Sequence, residues 1–322
     1  MLQSLQDTIK SIENGRRLVI AGDEGLLAKL PKGDWIGGSI PYFMDAVGGK
    51  ITREEVFVHD LTDCTTSATI KTYSVADLPK IAKEAPEHGF SMVIIPAFSE
   101  AHLSYAQNAP NYEDIFMKPI FGWISGIHLS DLGKVTPKVF SGATGVALER
   151  EAIVMHFKIP EGKNATVNIL NVFDQGDGDA ITFETEGFEV MDCFVNGKKE
   201  KFSEWITKNN LDTKLPLVAD YCGAKINVSY QATRESDGAV LLYAPVFKGV
   251  EYKIAKPVPD YVSAFQKIVP DNPSPVFTCN CILNFLYSEL EGKVVKNMYG
   301  PITFGEIAYQ LLNQTLVYLE VK

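Results

Sequence analysis

The sequence has no apolar run approaching the ~20 residues that a membrane-spanning helix requires. Its five cysteines are an odd number at wide spacing in 322 residues, which is no disulfide framework. Positive charge is also scarce. Thirty Lys and Arg stand against forty Asp and Glu, a formal net charge of −10. Nucleic-acid binding draws most of its affinity from cations on phosphates, so no nucleic-acid partner is expected, and an anionic membrane surface is disfavoured for the same reason. The first ten residues lack a basic segment followed by an apolar one, so they read as an amphipathic helix and not as a signal peptide. The expected location is cytoplasmic, with reduced thiols. There is no HExxH, no GxSxG elbow and no GxxxxGK[ST] phosphate loop, and hence no catalytic set, metal site or cofactor is read from motifs.

What is present is an ordinary globular composition, 46% hydrophobic and 22% charged. The length fits two domains or one large composite unit. Segments 3–14, 75–85, 101–106, 202–209 and 285–291 read as helices. Asp23 is placed to cap another that runs to residue 30. Strand patterns occupy 18–21, 35–40, 56–60, 69–73, 92–96, 121–127, 151–157, 166–171 and 276–283, and 314–321 reads as an alternating edge or closing strand. Asn196-Gly197 is a tight-turn dipeptide. The expected class is α+β, two modules of mainly antiparallel sheet with flanking helices, divided into 1–195 and 196–322.

Candidate chemistry is sparse. Asp174-Gln-Gly-Asp-Gly-Asp179 fails the calcium-loop register and reads as a solvated turn. The five histidines stand apart in sequence. Cys279 and Cys281 fall on one face of a strand, but two thiols are too few for a closed tetrahedral zinc site. Gly37-Gly38-Ser39, after Trp35-Ile36, either brings backbone N–H groups to an anion or allows a tight turn.

The stretch Pro275-Val-Phe-Thr-Cys-Asn-Cys281, followed by Gly300-Pro-Ile-Thr-Phe-Gly-Glu-Ile307 and Leu312-Asn-Gln-Thr-Leu316, resembles the C-terminal module of FIST sensory domains. Trp35-Ile-Gly-Gly-Ser39 resembles the Gly-rich step of the N-terminal module. One departure stands out: members of that family often carry an Arg shortly after the Phe-x-Cys cysteine, whereas Ile282 and Leu283 stand here. The resemblance implies a stand-alone sensory, signal-transducing protein that binds a small molecule such as an amino acid and acts on a signalling partner in trans. The corresponding ligand site is Gly37, Gly38, Ser39, Cys279, Thr303, Phe304, Gly305 and Glu306. Phe304 would form an apolar wall and Glu306 would hold an ammonium group. The same turn residues also admit a purely structural role, with Phe304 filling core and Glu306 capping the next segment. Two other functions compete: a hydrolase or acyl transferase using Cys279 as nucleophile, and an adaptor or homo-oligomer joined through an exposed sheet edge.

Overall fold

A computed structural model describes residues 1–322. Its organisation follows from one six-stranded sheet whose inner strands are buried on both faces. In order across the sheet, the strands are Gln310–Leu312, Glu306–Ala308, Ile120–Ser125, Gly89–Pro96, Ala152–Lys158 and Ser67–Tyr73. Successive side chains of a strand point to opposite faces. Phe90, Met92 and Ile94 therefore enter one core, while Val93 and Ile95 enter another. Phe121 and Trp123 separate from Ile120 and Ile124 in the same way, as do Ile153 and Met155 from Ala152 and Val154. Both sets are apolar, so these strands read as continuous hydrophobic runs.

The first core is closed by a second six-stranded sheet that contains Tyr42–Asp45, Pro275–Cys281, Gly300–Thr303 and Leu316–Val321. The second core is closed by strands between residues 181 and 254, with Phe183, Phe202 and Tyr252 fully buried. All ladders are antiparallel except three. The chain is α+β with mainly antiparallel sheets.

Local signals account for several boundaries. Ser4 caps the helix Leu5–Glu13 by accepting from the Asp7 N–H, and Gly15 follows at φ 72°. Asp23 caps as expected, though the helix is only Glu24–Leu27. Asn196 and Gly197 both have positive φ, as the two-residue hairpin turn between Asp192–Val195 and Lys198–Lys201 requires.

That hairpin corrects the expected division at 195/196, which would cut through its turn. Strands from both sides of the cut also share sheets: Glu306–Ala308 pairs with Ile120–Ser125, and Gly300–Thr303 with Tyr42–Asp45. A second correction concerns the last strand. Leu316–Val321 is no edge, because Ala165–Leu170 and Pro275–Cys281 flank it on either side. Nor does the strand at 276 run to residue 283. It ends at Cys281, and Ile282–Tyr287 is already helix. No helix is long and apolar enough to cross a membrane.

Candidate functional site

The sequence-predicted residues divide by what the fold does with them. Gly37 and Gly38 lie within the strand Trp35–Ser39, not in a turn. A Cβ on Gly37 would sit 2.8 Å from the Ile20 carbonyl oxygen, and one on Gly38 2.8 Å from Ile94. Gly37 therefore clears the backbone of the neighbouring strand Leu18–Gly22 in its own sheet, and Gly38 lets that sheet approach the strand Gly89–Pro96 of another. The Ser39 hydroxyl donates to the Gly126 carbonyl and accepts from the Lys138 N–H, both at 2.8 Å. Its hydrogen-bonding capacity is spent inside the fold, although it borders a polar hollow of about 130 Å3.

Cys279 lies in the first core, where its thiol donates to the Gly122 carbonyl at 3.5 Å. Burial pushes that thiol well above its ordinary range, and Glu306 adds to the shift. Thr303 is fully buried, and its hydroxyl lies 3.0 Å from the Gly305 carbonyl. Gly305 packs under Leu311 and Ile124, where a Cβ would meet both at about 3 Å.

Glu306 is fully buried. Its Oε2 accepts from the Thr315 hydroxyl at 2.8 Å and the Thr315 N–H at 3.3 Å, while Oε1 has no partner among its neighbours. Burial pushes the carboxyl up to about 8, against hydrogen bonds from Thr315 that pull the other way. It is therefore a neutral acid at pH 7. Glu306, which the resemblance casts as the carboxylate that holds an ammonium group, lies outside the lining of the cavity described next.

Among the predicted residues, Phe304 alone lines that cavity. Its ring lies over Gly126, where a Cβ would come within 2.4 Å, and meets Phe98 edge to face at 6.1 Å. The cavity holds about 100 Å3. A water needs only about 10–15 Å3 on that measure, so a molecule of several heavy atoms fits. Its walls come from distant parts of the chain. Ala97 and Phe98 follow the strand Gly89–Pro96. His102 sits in the first turn of the helix Glu100–Asn108, which Ser99 caps by accepting from the His102 N–H. Cys281, Ile282, Leu283 and Leu286 come from the end of one strand and the helix after it, and Asn313 precedes the final strand. No lining residue carries a charged side chain. At the mouth, Phe98, Leu132 and Leu286 are 56%, 47% and 40% exposed. Phe98 holds φ at 65°, a conformation that bulky residues adopt rarely and chiefly where surroundings enforce it.

Two polar side chains on the wall are more than nine-tenths buried yet incompletely bonded. His102 Nδ1 accepts the Phe98 N–H at 3.3 Å, and its Nε2 has no partner. Burial lowers the His102 pKa to about 4, so the ring is neutral near pH 7. Asn313 likewise has one amide atom without a partner. Cys281 is the thiol on the wall, and burial and Glu306 push it well above its ordinary range. No cluster of three or more His, Cys, Asp or Glu is arranged to hold a metal ion.

His102, Cys281 and Asn313 were not among the predicted site residues. The signal for Asn313 lay in Asn-Gln-Thr315, a polar triplet between apolar runs. Each of its side chains has a specific task. Thr315 bonds Glu306, Gln314 donates to the Lys214 carbonyl at 3.1 Å, and Asn313 reaches Ser229. Nothing in the sequence singled out His102. Ile282 and Leu283, standing where the resemblance leads one to expect an Arg, supply apolar wall.

No curated protein and no solved structure matches the chain. A family model does match, over residues 3–322, and the chain belongs to that family, a family of unknown function designated DUF6976.

Proposed function

We propose that this is a small-molecule-binding sensory protein whose ligand occupies the cavity between His102, Phe304, Ile282 and Asn313. The observation that carries the reading is the combination of apolar walls with two buried polar side chains that lack partners. Buried polar groups are bonded in the great majority of native sites, and ligand pockets are mostly apolar with a few placed polar groups. The resemblance to FIST modules supports a sensory role with an output partner in trans. The absence of Lys, Arg, Asp and Glu from the walls favours an uncharged compound over an amino-acid zwitterion. A cytoplasmic setting, where Cys281 and Cys279 stay reduced, belongs to the same reading.

The partially exposed apolar rim of Phe98, Leu132 and Leu286 gives occupancy a route to the surface, since a bound molecule restricts the side chains that cover it. A nucleophilic role for Cys279 draws no support from its surroundings, because its thiol faces a carbonyl oxygen and no histidine.

The test is a thermal-shift screen of small uncharged compounds against the full chain. Binding to the native state raises Tm by mass action. The expected result is a concentration-dependent rise with at least one compound, abolished by filling the cavity through Leu283→Trp. A broad screen with no shift, together with a ligand-free crystal structure whose side chains fill the space, defeats the reading.

A further inference from the structure

The two incompletely bonded side chains on the cavity wall define complementary hydrogen-bonding atoms, and their identities follow from their neighbours. A backbone N–H can only donate, so His102 Nδ1, which meets the Phe98 N–H at 3.3 Å, is the unprotonated nitrogen. The neutral ring then carries its hydrogen on Nε2, which is the buried atom without a partner. His102 therefore offers a donor.

Asn313 requires a second step. The Ser229 hydroxyl lies 2.7 Å from one Asn313 amide atom and also contacts the Gln314 amide oxygen. A hydroxyl has a single hydrogen and cannot donate to two carbonyl oxygens. Gln314 is fixed by its other end, where Nε2 donates to the Lys214 carbonyl at 3.1 Å, so its oxygen takes the Ser229 hydrogen. The Asn313 atom facing Ser229 must then be the amide nitrogen, donating to the hydroxyl oxygen. This orientation of the amide gives every contact around the Ser229 hydroxyl one donor and one acceptor, whereas the opposite one places two acceptors against one hydrogen. The Asn313 atom left without a partner is thus its carbonyl oxygen, an acceptor.

We infer that the cavity recognises a neutral carboxamide on a short branched or cyclic apolar body, its carbonyl oxygen accepting from His102 Nε2–H and its N–H donating to the Asn313 side-chain oxygen. This rests on the cavity being the binding site. A carboxylate would find an acceptor at Asn313 where it needs a donor, and no cation on the walls, whose other polar side chains, Gln231 and Tyr243, are neutral. An ammonium would find no anion. A ketone would satisfy His102 and leave Asn313 bare, a cost that lets hydrogen-bonding sites reject analogues lacking one group. Ile282, Leu283 and Phe304 supply the apolar surface, and about 100 Å3 limits the body to a few carbons.

Three probes of nearly the same shape separate these chemistries: isovaleramide, 4-methyl-2-pentanone and isovalerate, with cyclopentane as a purely apolar fourth. Each is titrated into the full-length protein and followed by calorimetry and thermal shift. Isovaleramide is expected to bind at least 10-fold more tightly than the ketone and at least 100-fold more tightly than isovalerate, with cyclopentane between those extremes. In His102→Leu and Asn313→Leu the preference for amide over ketone should fall below 3-fold, while cyclopentane binding persists and reports an intact cavity. Equal binding of amide and ketone by the parent protein, or tightest binding of isovalerate, overturns the carboxamide assignment and leaves the cavity reading standing. If no probe binds, cyclopentane included, the cavity reading falls with it.

Discussion

His156 and His102 are both buried histidines whose pKa burial lowers to about 4, yet their surroundings differ in kind. His156 lies where Ser67–Tyr73, Gly89–Pro96 and Ala152–Lys158 run side by side. Its Nδ1 meets the Ser91 hydroxyl at 2.8 Å and its Nε2 the Tyr73 hydroxyl at 2.7 Å, while Tyr73 donates to Glu84 at 2.7 Å. In that chain of bonds both ring nitrogens are engaged. His102 has one nitrogen engaged and one bare, on the wall of a cavity. Burial and a displaced pKa are therefore common to the two rings; unspent hydrogen-bonding capacity is what separates them.

The strongest way to break this comparison is to delete each ring. His156→Leu leaves the Ser91 hydroxyl buried without its partner and cuts the link to Tyr73. The expected loss of unfolding free energy is about 2–4 kcal/mol. His102→Leu forfeits one long hydrogen bond and removes an orphaned donor, for an expected loss under about 1 kcal/mol. Urea denaturation reads both, and equal losses would dissolve the distinction.

Acid titration sharpens it next. Each ring binds a proton near pH 6.5 when unfolded and only near pH 4 when folded. The unfolded state thus holds more protons between those values, and stability falls as pH drops from 6.5 towards 4. Each group contributes up to about 3 kcal/mol to that fall, and His102→Leu should remove its share. Glu306 acts on the opposite flank. Its carboxyl ionises near 4.5 when unfolded and near 8 when folded, so its contribution is fully present below pH 4.5 and is lost as pH rises to 8. Glu306→Gln should flatten the decline between pH 5 and 8 in chemical denaturation.

Smaller effects are expected at the relay. Ser229→Ala removes the hydroxyl shared by Asn313 and Gln314, at a cost of about 1–2 kcal/mol, and frees the Asn313 amide to turn. The preference for amide over ketone should shrink with it, whereas Ser91→Ala, beside His156, should leave that preference intact. The least perturbing measurement is thiol labelling at pH 7. Cys222 is exposed, while Cys279 and Cys281 are buried with raised pKa values. Iodoacetamide should therefore modify Cys222 and spare those two until the chain unfolds.

Much of the fold was legible because its signals are local. Asp23 and Asn196-Gly197 mark their boundaries through a bond to a residue two positions away or through backbone conformation. The alternation that sends Phe90 and Val93 to different cores was invisible, since both faces are apolar and the period carries no contrast. The edge reading of the last strand failed for a related reason: what flanks a strand is decided by pairing partners far along the chain. The candidate site was legible only at Phe304. Its other walls come from residues 97–102, 281–286 and 313, which converge through sheet pairing. The glycines at 37 and 38 mimicked a ligand-approach motif because close approach of a neighbouring strand, at Gly37, or of a second sheet, at Gly38, demands the same missing Cβ.

The shared sheets also bear on how the molecule is made. Segment 120–125 gains a neighbour from 306–308, and 42–45 from 300–303. During synthesis at roughly 5–20 residues per second, these N-terminal strands emerge many seconds before the segments that complete their sheets. The nascent chain must carry open strand edges and half-covered apolar faces throughout that interval, a state in which intermolecular pairing competes with folding. Such long-range closure is slow. A chain stopped before residue 300 should therefore be no smaller version of this protein but an aggregation-prone intermediate, and its production in cells should depend on chaperones that shield it until the last strands arrive.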